Sequence, residues 1–298
     1  MGLFERARAG EGQALARLAS LLENDDRATL AALDALGVPE KHPHVIGLTG
    51  PPGAGKSSLI NVLLPELARC EGRIAVLLVD PSSQVTGGAV LGDRVRMLEW
   101  GDQRIYIRSQ ATRGQEGGLA PSTGALIDLF AHLGFDQVLI ETVGVGQDGI
   151  DIRAVAQTAV VIQSPHAGDG VQALKAGILE IADIFVVSKA DLPGAHGTVR
   201  DLNAMLHLIE NPPGTWVTPV VAVSANEGTG VKELAEAIAG HRAQTGPGDR
   251  SQRLNWETEK RAAAVVRRIV RTGLPASLDR RERLKHVFRM ALTETEQP

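Results

Sequence analysis

Residues 50–57 read GPPGAGKS, and this octapeptide restricts the fold more than any other part of the chain. It fits G-x-x-x-x-G-K-[ST] at every fixed position. Such a loop works where a strand delivers the chain into a glycine-rich turn and a helix leaves it. The glycines let successive backbone N–H groups face inward onto phosphate oxygens, and the helix start adds its positive dipole end. Both flanks supply what is needed. Residues 44–49 form a short apolar run of strand type, and residues 58–68 repeat apolar positions at helical spacing, with the helix opening near Ser57.

The same alternation continues downstream. Strand-like runs are VIGLT (45–49), RIAVLLVD (73–80), RIYIRS (104–109), QVLIET (137–142), AVVIQS (159–164), IFVVSK (184–189) and VVAVSA (220–225). Several are apolar along their whole length, as strands buried on both faces are. Helical stretches separate most of them. The expected fold is therefore α/β: a doubly wound, mostly parallel sheet of the P-loop type, with helical N- and C-terminal extensions. The expected divisions are a helical extension over 1–43, a P-loop domain over 44–243 and a helical arm over 250–298. Residues 3–37 read as helical and end before Pro39 and Pro43. QTGPGD (244–249) is the clearest linker, followed by helices over about 251–272 and 277–295, split by Gly273 and Pro275.

Composition narrows the class. The chain has 298 residues, 43% hydrophobic and 3% aromatic, so its core is built from Val, Leu, Ile and Ala. A net charge of −4 argues against a nucleic-acid partner for the protein as a whole. Charge is uneven: from Arg250 onward there are twelve Lys/Arg against six Asp/Glu, which reads as a solvated helix face. The single cysteine, Cys70, has no internal partner, which fits a reducing compartment. The first residues are charged without a signal-type apolar core, and no apolar run approaches the ~20 residues of a membrane span. A cytoplasmic protein is expected, with no membrane association.

In sheets of this kind ligands lie beyond the carboxyl ends of the strands. Gly50, Pro51, Pro52, Gly53, Ala54, Gly55, Lys56, Ser57 and Ser58 form the expected phosphate cradle, with Lys56 reaching the β- and γ-phosphates and Ser57 ligating Mg²⁺. Other strand ends carry Asp80, Glu141, Ser188-Lys189-Ala190-Asp191 and Ser224-Ala225-Asn226. Glu141-Thr142-Val143-Gly144 has the form acid-x-x-Gly, in which the acid holds Mg²⁺ and the Gly144 N–H senses the γ-phosphate. Asp80 and Asp93 lie in a Ser/Gly/Asp-rich segment and are candidates to complete the Mg²⁺ shell; a helix N-cap is the alternative for Asp93. The metal set is thus Ser57, Asp80, Asp93 and Glu141. Asp191 is the base reader, because a carboxylate accepts from guanine N1–H and the exocyclic amine, which adenine does not offer. Ser188 stands where the usual Asn-Lys-x-Asp pattern has Asn. Gln147, just past Gly144, is a candidate to orient water. Arg108 and Arg113 are flexible basic candidates for phosphate or partner contact.

Five segments, GPPGAGKSSLI, VDPSSQVTGGAVLGDRVRM, YIRSQATRGQEGGLA, ETVGVGQ and HAGDGVQALKAGILEIADIFVVSKAD, resemble the MeaB/ArgK family of P-loop GTPases, chaperones associated with methylmalonyl-CoA mutase. The resemblance covers about 10–245, including the leading ALARLASLLEND; the C-terminal helices resemble the family's dimerising arm loosely. It implies a homodimeric GTPase, slow alone and stimulated by its partner, with bound GTP or GDP and Mg²⁺. The implied partner is an adenosylcobalamin-dependent acyl-CoA mutase, whose cofactor loading it gates. No cobalamin-binding segment is present, so the corrinoid itself is not an expected ligand. The resemblance also marks HAGDGVQALK as a loop that moves on partner binding, with Lys175 entering the nucleotide site. There the chain has His166-Ala167-Gly168-Asp169-Gly170 where relatives often carry a further acid.

Lys56, Glu141, Lys175 and Gln147 make up the expected catalytic set. Other readings are a metallochaperone GTPase for another metalloenzyme, a kinase, and a nucleotide-gated scaffold with incidental hydrolysis. The first would be expected to carry a Cys/His cluster, which one cysteine and eight scattered histidines do not offer. The second would need an acceptor pocket.

Overall fold

The computed structural model describes residues 2–70, 72–80, 104–113, 118–143, 150–165, 179, 181–209, 212 and 214–245. The chain forms two compact units, residues 1–249 and 250–298; the second, with its two expected helices, lies outside the described residues.

Seven strands form one sheet. They are β1 (His44–Thr49), β2 (Ile74–Asp80), β3 (Ile105–Ala111), β4 (Gln137–Glu141), β5 (Thr158–Gln163), β6 (Ile184–Ser188) and β7 (Val220–Val223). Their order is β3-β2-β4-β1-β5-β6-β7, and all six pairings are parallel. Each strand-like run expected above is a strand, within two residues. β1, β4, β5 and β6 are buried at every position, which explains why their sequences do not alternate. The chain moves from β1 outward to β2 and β3, returns through β4, then crosses to β5 on the other side of β1. That reversal places the ligand crevice at the carboxyl ends of β1, β4 and β5.

Helices cover both faces. Helix α4 (Lys56–Cys70) and the last described helix, α8 (Val231–Thr245), pack on one face. Leu59, Leu63 and Leu67 of α4 and Leu234 and Ile238 of α8 join Ile46, Leu48, Val76, Val160 and Val186 in one buried cluster. Between them in sequence come α5 (Thr123–His132), α6 (Ile150–Val155) and α7 (Ala195–Leu206). Helix α6 contacts β1 and β5, and α7 contacts β6 and β7. Helix α4 runs two residues beyond its expected span at each end and carries Pro65 within it. Helix α8 runs to Thr245, so the first two residues of the expected linker are helical.

The N-terminal helical stretch is three helices: α1 (Leu3–Arg8), α2 (Gly12–Glu23) and α3 (Arg27–Ala35). The breaks fall where Gly10 and Asp25 take φ of 92° and 53°, and the Asp26 carboxylate caps α3 by accepting from Thr29 N at 2.8 Å. Helices α2 and α3 contact α5. Arg108 of β3 is not a flexible phosphate ligand. Its guanidinium pairs with Glu23 at 2.6 and 2.7 Å and donates to Ser20 Oγ at 3.0 Å and Ala16 O at 3.3 Å. Burial pushes this guanidinium's pKa down, but the Glu23 hydrogen bonds and charge outweigh it and leave it raised. Arg113 likewise donates to Asn24 Oδ1 at 2.8 Å. Both arginines fasten the α2 end to β3.

At the opposite end of the sheet from the crevice lies a buried polar chain. His44 Nε2 lies 2.8 Å from Thr158 Oγ1, which lies 2.8 Å from His241 Nδ1, and His241 Nε2 faces Asp183 Oδ1 at 3.3 Å. Asp183 also accepts from Ala159 N and Arg153. The Thr–His–Asp order is that of a hydrolase triad, but Thr158 is 0% exposed, so the group is structural. Burial pushes the Asp183 carboxyl up, yet His241, the Ala159 N–H and Arg153 together hold it below its ordinary value. Burial pushes His44 down to about 3, with Arg242 and His241 acting the same way.

Two outcomes follow for stability. His44 stays neutral when folded while the unfolded chain takes up a proton near pH 6.5. Stability therefore falls as pH drops below 6.5, by about 2 kcal/mol between pH 7 and 5. Asp183 adds a loss only below the ordinary carboxylate range. Urea unfolding at pH 7 and 5 should show the drop in the native chain and its near-absence in His44→Gln. Separately, Arg108→Ala should cost roughly 1–3 kcal/mol by stranding Glu23, while leaving nucleotide affinity within twofold in a titration.

Candidate functional site

The crevice is organised by the backbone of residues 50–55 between β1 and α4. A loop that turns its N–H groups inward turns its carbonyls outward, and these need donors. The structure supplies donors for most of them. The Lys56 ammonium donates to Gly50 O at 3.0 Å and Pro51 O at 3.2 Å. Lys189 Nζ donates to Gly53 O at 2.9 Å, and Ser188 Oγ–H to Ala54 O at 2.6 Å. Leu59 N closes on Gly55 O at 2.9 Å. Gly50 is required for close approach: a Cβ there would sit 2.3 Å from Ile162 O of β5, at a φ of 154°. Gly55, at φ 87°, lets the chain turn into α4.

Lys56 and Glu141 are both 8% exposed. Ser57, the second residue of α4, donates its hydroxyl to both Glu141 oxygens, at 2.9 and 3.1 Å. Glu141 is the last residue of β4, and Asp80 the last of the neighbouring β2, two register positions beyond the level of Glu141. One hydroxyl against one carboxylate, with a second carboxylate ending the adjacent strand, is a hard-oxygen donor set of the kind Mg²⁺ takes. The chain continues from Glu141 through Thr142, whose N–H and hydroxyl both bind Leu48 O (3.0 and 3.3 Å). Val143 N then donates to Gly118 O at 3.3 Å. The 118–122 turn thus braces the acid-x-x-Gly segment, a contact that no motif announced.

A pocket opens beside the phosphate loop, lined by Gly55, Leu59, Lys189, Asp191, Ala225 and Asn226 among others. Ser224, between the lining residues Val223 and Ala225, is fully buried. Its hydroxyl donates to Asp191 Oδ1 at 2.6 Å and accepts from Glu227 N at 3.2 Å. The Ser224 hydroxyl, the Asp191 backbone N–H and Asn226 hold the Asp191 carboxyl below its ordinary value, so it is a charged acceptor at neutral pH. Lys189 takes φ 52°, an uncommon conformation for a residue with a side chain. That bend carries its stem from β6 back over the phosphate loop.

The structure therefore brings together Gly50 to Ser58, Glu141, Ser188, Lys189, Asp191, Ser224, Ala225 and Asn226 at one end of the sheet, with Asp80 adjacent. Asp93, Gly144, Gln147 and Lys175 lie outside the described residues. Among the described residues, no helix is long and apolar enough to cross a membrane.

Comparison with known proteins agrees with this architecture. The family described as methylmalonyl Co-A mutase-associated GTPase MeaB matches residues 15–279. A protein of Pyrococcus abyssi (strain GE5 / Orsay) named as a GTPase is 43% identical over 272 residues, covering 90% of this chain and 83% of its own. The mouse protein named methylmalonic aciduria type A homolog, mitochondrial, is 38% identical over 197 residues, 65% of this chain and 48% of its own. A solved structure of an LAO/AO transport system kinase superposes with a TM-score of 0.68 over 97% of this chain and 96% of its own; at 23% identity it speaks to the fold alone. With a phosphate-loop motif between β1 and α4 and a family match over most of its length, the chain belongs to the MeaB family and is a GTPase.

Proposed function

We propose that this GTPase gates adenosylcobalamin loading into an acyl-CoA mutase of the methylmalonyl-CoA mutase type, and protects that enzyme. The partner rests on the family's description as mutase-associated. The hydrolytic half is carried by one observation, the Ser57 hydroxyl placed on the Glu141 carboxylate at the mouth of the phosphate loop.

In this reading Gly50 to Ser58 bind the phosphates, and Lys56 neutralises charge on the β- and γ-phosphates. Ser57 and Glu141 hold Mg²⁺, with Asp80 and Asp93 completing the shell. When bound, that ion neutralises charge developing on the phosphoryl oxygens. Gly144 reports the γ-phosphate through its N–H, and Gln147 orients the attacking water. Asp191 accepts from guanine N1–H and the 2-amino group, Lys189 covers one face of the base, and Ala225 and Asn226 close the pocket. Lys175 enters the site when the mutase docks. The cations of the described site, Lys56 and Lys189, are both engaged by carbonyls of the phosphate loop, and this supports a slow basal rate raised by the partner. Residues 250–298 serve as a dimerising arm, and the setting is cytoplasmic.

GTP turnover by the full chain should rise many-fold on adding an adenosylcobalamin-dependent acyl-CoA mutase from the same source. Lys56→Ala should abolish both basal and stimulated rates. No rise with any such mutase would reject this pairing, and a rise in binding without turnover would favour the scaffold reading. Asp191→Asn tests the base assignment. Asn pairs one donor and one acceptor with the N1–H and 2-oxo group of xanthine, so the variant should prefer XTP over GTP by tenfold or more, on the order of 1–3 kcal/mol.

A further inference from the structure

One residue of the base pocket departs from the usual Asn-Lys-x-Asp pattern, and its geometry shows what it does instead. Ser188 ends β6 and is 5% exposed. Its Oγ lies 2.6 Å from Ala54 O and 3.0 Å from Gln163 O. Both neighbours are carbonyl oxygens, which only accept. A serine hydroxyl carries one proton, and here that proton is shared between two acceptors. A base acceptor such as purine N7 needs a donor, and this hydroxyl has no second proton to offer.

We infer that Ser188 is a positioning residue for the phosphate loop and takes no part in reading the base. Its bond joins three pieces of the crevice: the end of β6, the end of β5 at Gln163, and the buried Ala54 inside the loop. Ala54 is 1% exposed, so its carbonyl has little water to turn to if the hydroxyl is removed. The neighbouring polar side chains of the pocket are committed as well. The Lys189 ammonium sits on Gly53 O, and Ser224 and Asn226 support Asp191. Selection of guanine then falls to Asp191, and Ser188 contributes affinity common to every nucleotide that uses the loop. This inference rests on Asp191 receiving the guanine edge.

A cycle of protein and ligand changes separates the two roles. Dissociation constants are measured for GDP, 7-deaza-GDP (no N7 acceptor) and IDP (no 2-amino group), using the full chain and its Ser188→Ala and Ser188→Cys variants. The cysteine keeps nearly the same shape with a weaker donor, so it guards against a packing defect in the alanine variant. The expected result is a loss of roughly tenfold for all three ligands in Ser188→Ala, with equal factors, and a smaller equal loss in Ser188→Cys. A loss confined to GDP and IDP, sparing 7-deaza-GDP, would mean that Ser188 reads N7 and would overturn the inference. Unchanged affinity for every ligand would overturn it too. The parent reading is tested in the unsubstituted chain, where IDP should bind at least tenfold more weakly than GDP. Equal binding of IDP and GDP would remove Asp191 as the reader, and with it the ground for this division of labour.

Discussion

The loop at residues 50–55 turns carbonyls toward the protein, and these need donors. That single constraint explains side chains scattered over the sequence. Lys56, Ser188 and Lys189 differ in position and chemistry, yet each donates to a loop carbonyl. An unmet carbonyl in a buried turn costs as much as a lost hydrogen bond, and several at once would undo the turn. The glycines belong to the same account: at Gly50 a side chain would displace the Ile162 carbonyl against which the loop leans. The loop conformation is thus held by contacts from the ends of β5 and β6.

A consequence is that the phosphate loop and the pocket beside it are mechanically one object. The segment Ser188 to Asp191 contributes two donors to the loop and a carboxylate to the pocket within four residues. The bend at Lys189 makes this possible, because an extended chain would point alternate side chains to opposite faces of the sheet. Ser224 does the equivalent for the neighbouring strand end. It is buried, organises its own turn through Glu227 N, and spends its proton on Asp191. Nucleotide binding is therefore expected to stiffen β6 and β7 together with the loop, a coupling carried by hydrogen bonds rather than by apolar contact.

Much of this was legible from sequence, for a physical reason. Parallel strands buried on both faces must be apolar throughout, so runs such as VIGLT and IFVVSK stand out against their surroundings. The phosphate loop was legible because its chemistry demands fixed residue types at fixed spacing. What escaped was of a different kind. Arg108 read as a free cation because a sequence does not show that Glu23, 85 positions earlier, lies beside it. The brace between Gly118 and Val143 runs through backbone atoms and has no residue signature at all. The breaks within the first 37 residues hinge on backbone angles at Gly10 and Asp25, where apolar periodicity continues past the turn.

The two ends of the sheet illustrate how one set of residue types serves opposite purposes. Thr158, His241 and Asp183 have the connectivity of a catalytic triad, while Ser57 and Glu141 are simply a hydroxyl on a carboxylate. Judged by side chains alone, the first group is the more reactive. Access reverses the ranking. Thr158 has no exposed surface, and each member of its chain has a partner within the protein, so its free energy goes into fixing α8 against the base of the sheet. Ser57 sits at the strand ends, where the parallel topology leaves a crevice and the helix start supplies positive potential. The carbonyl-bound loop beside it holds that crevice open in one shape. It is this placement, and not the identity of the side chains, that makes a hydroxyl and a carboxylate the candidate metal and phosphate site.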